Sequence, residues 1–272
     1  MTTNRHLVEY WRLRSDGRED LSMVGHRSLG PAFNSYIYRR RLDVLNEYVS
    51  ALGTSASDLC VLDLGCGNGF YAQLWQSIGV REYVGVDVSQ QTIARLTERF
   101  PEYRFLSADL GQDGVLPQLY RQFDVVTLFD VIYHITDDAQ ALIALMTAAR
   151  CLRTEGKLVL FDQVTRRDSS LVRHVKLRGV ATFNKLVDDA GLAISGRKPL
   201  FALLAPPTYG IAAVDFAIAV FYKLIGSVMK RFDRFGLWMG KRVYELDQRL
   251  IRAGVRIPNH EAILLVRKGN GE

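Results

Sequence analysis

Five short runs dense in Val, Leu and Phe recur between Asp58 and Ser195, and helix-like stretches separate them. The runs are LCVLDLG (59–65), EYVGVDV (82–88), YRFLSAD (103–109), FDVVTLFD (123–130) and KLVLFDQ (157–163). They mostly lack apolar–polar alternation, which is how strands buried on both faces of a parallel sheet read. Between them, residues 70–77, 90–100 and 137–152 have helical spacing. Asp137 and Asp138 open the last of these, where a helix dipole favours acids. Such alternation predicts a doubly wound α/β fold. A helix near 182–190, a strand near 192–197 and a final strand over AILLVRK (262–268) extend it.

Two regions fall outside this pattern. Residues 1–55 are polar, aromatic and rich in arginine, with a helix expected over 36–52. They are read as an N-terminal helical cap on a core covering 56–198. Residues 199–258 are read as a helical insertion that covers the substrate, before 259–272 bring the last strand back. Within the insertion, Asp215 and Lys223 interrupt IAAVDFAIAVFYKLIGSVM (211–229) and weigh against a membrane span. Ile211, Val214, Ile218, Phe221 and Ile225 fall at helical spacing, so an amphipathic helix packed on the core is expected. Phe201, Tyr209, Phe216, Phe221, Tyr222 and Trp238 would line an apolar acceptor site or form the insertion's own core.

The chain carries a net charge of +6, and residues 223–256 hold nine Lys/Arg against three Asp/Glu. The surplus therefore lies in one segment. It is either a solvated helix face or a site of attraction for an anionic partner, and peripheral membrane contact through 211–256 is one form of that. Cys60, Cys66 and Cys151 are odd in number with no CxxC, so neither a disulfide framework nor a zinc site is expected, and no metal. The first residues lack the apolar stretch of a signal peptide, and a cytoplasmic location is expected.

The chemistry concentrates in VLDLGCGNGF (61–70). A buried strand ends in Asp63, then Gly65, Cys66, Gly67 and Gly69 precede a helix. Glycines let a backbone turn sharply and let a ligand approach closely, and the helix start offers unpaired N–H groups. Eighteen residues after Gly69, Asp87 ends the second strand, where a carboxylate can accept both hydroxyls of a ribose. The spacing suits a nucleoside-containing ligand. A dinucleotide oxidoreductase fits less well. Phe70 stands where its fingerprint wants Gly or Ala, Asp63 would face a pyrophosphate, and the loop begins some sixty residues into the chain.

DLGCGNG resembles the acid-x-Gly-x-Gly-x-Gly loop of class I S-adenosylmethionine-dependent methyltransferases. The resemblance runs over 59–163 and on to the last strand. It implies a mostly parallel seven-stranded sheet, Rossmann-like, with the last strand antiparallel and S-adenosyl-L-methionine as cofactor. It places Asp63 and Gly65 to Gly69 around the methionine part, Asp87 on the ribose and Val88 beside the adenine. Ala108-Asp109-Leu110 resembles the contact to the adenine amino group, and FDVVTLFDVIYHI (123–135) the strand ending beside the methyl group. LRTEGKLVLFD (152–162) departs slightly, with Thr-Glu-Gly where the family usually has Pro-Gly-Gly. VEYWRLR (8–14) resembles a Tyr-Trp segment that folds over the cofactor in a subset of such enzymes, or else anchors a helix on the domain.

His134, just past the fourth strand, is the candidate general base, with a structural or cofactor-wall role as the alternative. Asp130 would orient cofactor or substrate, or cap a turn. Tyr10, Trp11, Arg27, Tyr133 and Tyr209 are candidate substrate contacts, while His6, His174 and His260 have no constellation around them. The expected partner is a small molecule methylated on oxygen, a secondary metabolite or a sugar. Nucleic acid is disfavoured because no RNA-binding motif is appended. RNA or protein methylation and non-catalytic nucleoside binding stand as rivals.

Overall fold

The structure is a computed structural model that describes residues 29–172, 174–209, 211–257 and 259–269. Tyr10, Trp11, Arg27 and the VEYWRLR segment lie outside the described residues.

One seven-stranded sheet forms the centre, in the order β3-β2-β1-β4-β5-β9-β8. Its strands are β1 (Cys60–Leu64), β2 (Glu82–Asp87), β3 (Arg104–Ser107), β4 (Phe123–Phe129), β5 (Leu152–Asp162), β8 (Leu192–Pro199) and β9 (Glu261–Arg267). β9 runs antiparallel to both β5 and β8, while β3, β2, β1, β4 and β5 are parallel. All five residues of β1 are buried, which explains why this run lacks alternation. Two apolar layers cover the faces. One joins α1 (Gly30–Ala51), α2 (Phe70–Ile78) and Leu96 of α3 (Gln90–Arg99). The other joins α4 (Asp138–Cys151) and α5 (Val180–Asp189).

A small hairpin, β6 (Ser169–Val172) with β7 (Val175–Leu177), follows β5 and was not expected from the sequence. Arg178 locks it in place. Its buried guanidinium donates to the carbonyls of Ile132 and Ile135 and pairs with Asp138.

Between β8 and β9 lie α6 (Ala212–Arg231) and α7 (Asp233–Arg252), joined at Phe232. α6 does not turn the expected stripe inward: Ile211, Val214 and Phe221 are exposed. The buried residues are Asp215, Gly226 and Met229, with Ile218, Tyr222 and Ile225 half-buried beside them. Polar anchoring selects this face. Asp215 accepts from the Tyr209 backbone N–H at 2.7 Å, and the Tyr222 hydroxyl donates to the Leu203 carbonyl at 2.8 Å. Of the aromatics assigned to an acceptor site, Phe201 is buried, whereas Phe216, Phe221 and Trp238 face outward.

Candidate functional site

The loop after β1 carries three glycines in the left-handed region, Gly65 at φ 87°, Gly67 at 55° and Gly69 at 81°. At Gly65 a side chain is excluded twice over, since a Cβ there would stand 2.3 Å from Val131 Cγ2. The same contact shows that the glycine loop lies against the residues just past β4.

Asp63 sits beneath this loop and is buried. Its two carboxylate oxygens accept from the Tyr83 hydroxyl at 2.9 Å and the Thr127 hydroxyl at 2.7 Å, tying β1 to β2 and β4. Burial pushes its carboxyl up to about 6 against the pull of those hydroxyls. Asp87, half-buried at the tip of β2, receives the Gly67 N–H at 3.1 Å on one oxygen and the Ser89 N–H at 2.9 Å on the other. Each oxygen has capacity for a second donor, as two ribose hydroxyls require. Val88 beside it is half-buried. Asp109 follows β3 and caps its own turn through the Gly111 N–H at 2.9 Å, with Leu110 buried behind it. Cys66 is buried, and burial drives its thiol pKa up, so it acts as a small apolar wall.

The ends of β4 and β5 form the second half of the site. Asp130 adopts φ 60°, unusual outside glycine, and its backbone N–H donates to the Phe161 carbonyl. Its carboxylate meets the guanidinium of Arg41 from α1 at 2.5 Å. Burial alone would lower the Arg41 pKa, but Asp130 together with Tyr71, Tyr38 and Tyr133 outweighs it, and the cation stays protonated. Asp130 Oδ1, Arg41 Nε and the Tyr71 hydroxyl are buried without a hydrogen-bond partner among the described residues. An unsatisfied carboxylate oxygen beside an unsatisfied guanidinium N–H offers one acceptor and one donor, which matches the zwitterionic end of an amino-acid ligand. Aromatic rings brace this corner from below. Tyr38 packs on Phe70 at 4.3 Å, Tyr71 on Phe129 at 4.4 Å, and Phe129 on Phe161 at 4.1 Å.

Asp162 ends β5 in the same buried corner. Burial, with Asp130 adding to it, holds its carboxyl up at about 7 despite the Gln163 N–H and Arg178. His260, just before β9, brings Nε2 to 3.8 Å from Asp130 Oδ1 and stands edge-on to Tyr133 at 6.0 Å. His134 Nδ1 lies 3.0 Å from the His174 carbonyl on the hairpin turn, and the two imidazoles stack at 6.1 Å. A carbonyl only accepts, so this contact favours the tautomer with the proton on Nδ1 and the lone pair on Nε2.

His174 and His260 thus each stand in a constellation that their sequence context did not suggest. Arg41, Asp162 and His260 are the site residues that sequence reasoning missed. Arg41 was one of three consecutive arginines (39–41), Asp162 gains Asp130 as a neighbour where β5 pairs with β4, and His260 reaches the corner only with β9. Tyr133 is half-buried within the cluster, while Tyr209 is 39% exposed at its margin.

Residues 200–205 roof this corner. Asp247 of α7 accepts three backbone N–H groups on one oxygen, from Ala202 at 2.8 Å, Leu203 at 2.5 Å and Leu204 at 3.0 Å. Arg40 of α1 donates to the Leu200 carbonyl, and Asn259 to that of Ala205.

Residues 61–156 match the family model of a methyltransferase domain. Over these residues the chain carries an S-adenosylmethionine-dependent methyltransferase domain. An mRNA cap guanine-N(7) methyltransferase of Schizosaccharomyces pombe is 28% identical over 53% of this chain and 43% of its own length. A probable S-adenosylmethionine-dependent methyltransferase of Mycobacterium tuberculosis is 29% identical over 52% of this chain and 47% of its own. The chain therefore spans less than half the length of these curated relatives. A SAM-dependent methyltransferase of Leishmania major shares the fold, with a TM-score of 0.58 at 12% identity, over 74% of this chain and 77% of that one. The residues of the methyltransferase domain fit its cofactor. Asp87 has acceptor capacity for the ribose, the glycine loop leaves room for close approach, and the orphaned atoms of Arg41 and Asp130 suit the methionine end.

Proposed function

We propose that this protein transfers a methyl group from S-adenosylmethionine to a hydroxyl of a small molecule. The observation that carries this reading is the enclosed polar corner at the ends of β4 and β5. Arg41, Asp162 and Phe201 are 6%, 3% and 1% exposed there, under a roof pinned by α1, α7 and Asn259. A compact acceptor can be held in such a corner, whereas a base within a long polymer calls for an open groove.

The cofactor, when bound, supplies a methyl group already activated on sulfur. The protein must then hold the acceptor oxygen in line, about 3–3.5 Å from that carbon, and remove its proton. Asp162 is the first candidate proton acceptor. Its pKa of about 7 gives it both ionisation states near neutral pH, and it shares the enclosed corner with Asp130. His134 is the other candidate, and the hairpin holds its ring in orientation through the His174 carbonyl. Tyr133 and His260 would contact the acceptor, and Arg41 with Asp87 would hold the two ends of the cofactor. Tyr209, at the margin, would meet the acceptor on entry.

The test is release of S-adenosylhomocysteine from purified protein offered a panel of alcohols, phenols, carboxylic acids and amines. Turnover with a hydroxyl acceptor, lowered at least about 100-fold in Asp162→Asn with cofactor affinity kept, is the expected result. Turnover with RNA alone would overturn the small-molecule reading. RNA deserves that arm because the Schizosaccharomyces pombe relative is named for a cap substrate.

A further inference from the structure

α6 is apolar over most of its circumference, a composition close to that of a helix buried in a core or sunk in lipid. Yet only three of its 20 residues are buried. The outward side presents Phe216 (71% exposed), Leu224 (66%) and Phe221 (58%), with Val220 and Val228 among them. At 1.5 Å per residue this face is about 30 Å long. It continues through the exposed Phe232 into Leu237 and Trp238 of α7. An exposed apolar surface of this extent marks a contact site.

The charges around it are predominantly positive. Lys223 and Lys230, seven residues apart, share one flank of α6, and Arg231 and Arg234 stand at the joint with α7. All nine Lys/Arg of 223–256 are exposed. The acids are elsewhere: Asp215 and Asp247 are buried and bonded to backbone N–H groups. Only Asp233 and Glu245 remain outward, and Glu245 is paired with Lys241 and Arg242.

We propose that this face docks the protein on an anionic phospholipid surface, with α6 lying in the plane of the membrane. The aromatic and aliphatic side chains enter the acyl boundary and the Lys/Arg groups meet headgroup phosphates. A second copy of the chain is disfavoured, because two such faces would set cation against cation. RNA would satisfy the cations but leave Leu224, Val220 and Val228 without a partner. A spanning helix conflicts with the anchoring of α6 along its inner side through Asp215 and Tyr222.

The experiment is sedimentation of the full chain with vesicles of phosphatidylcholine alone, or of equal parts phosphatidylcholine and phosphatidylglycerol. Binding to the mixed vesicles, weakening as salt rises, is expected. The double variant F216S/L224S should lower the partition coefficient at least about tenfold, and K223Q or R234Q about fivefold each. Unchanged S-adenosylhomocysteine binding and thermal midpoint in each variant show that the fold is intact. A chain that binds S-adenosylhomocysteine but stays in the supernatant overturns the proposal. So does equal partition onto neutral vesicles, or a dimer that F216S/L224S dissociates and that ignores vesicles.

Discussion

Asp162 links two pH dependences of opposite sign. Its folded-state pKa of about 7, and that of Asp63 at about 6, lie above the ordinary carboxylate value because both are buried. Both groups take up a proton more readily in the folded chain. Their contribution to stability is fully present below the unfolded value of about 4 and is lost as pH rises through about 6 and 7. Asp162→Asn cannot ionise, so it should raise the thermal midpoint over the parent protein at about pH 8 and not at about pH 5. Calorimetry at the two pH values checks this. Activity should move the other way, with kcat/KM rising through about pH 7 in the parent and flat in the variant. At Gly65, alanine meets Val131 and a positive φ together, so Gly65→Ala should cost about 2 kcal/mol and weaken S-adenosylhomocysteine binding. Denaturant unfolding and titration calorimetry would measure the two effects.

Among the elements, the roof takes three of its hydrogen bonds from one side chain. Asp247→Ala leaves three backbone N–H groups of residues 202–204 without their acceptor, a loss of about 3 kcal/mol. Urea unfolding should show that loss, and acceptor turnover should fall more than cofactor affinity because the roof lies over β4 and β5. Strands β1, β2, β4 and the second half of β5 were legible because burial on both faces writes them as mostly apolar runs. The β6–β7 hairpin was not, since SSLVRHVKL mixes charges into short strands that Arg178 holds from outside. α6 was legible as a helix but not in its orientation. When apolar residues cover most of the circumference, spacing alone selects no side, and Asp215 and Tyr222 settle which one turns in. The glycine loop and the ribose acid of the cofactor site follow from a local motif. Arg41 at the methionine end, and Asp162 with His260 on the acceptor side, come from three distant segments that only the folded chain brings together.

For the molecule as a whole, the cofactor should act as a folding ligand. At about 100 times its dissociation constant, S-adenosylhomocysteine adds about 2.7 kcal/mol, which should raise the unfolding midpoint by roughly 5–10 °C. Thermal scans with NAD as the control ligand would check this, and a shift with NAD alone would contradict the cofactor assignment.

The place of β9 between β5 and β8 also sets an order in time. Among the described residues β8 pairs with no strand but β9, and the two helices lie between them in sequence. During synthesis β8 emerges first and has no ladder to join until α6, α7 and β9 have followed. Closing that long loop delays the pairing. The cofactor half can assemble early, whereas His260 and the roof arrive with β9. A nascent chain would therefore hold the donor before it could hold an acceptor.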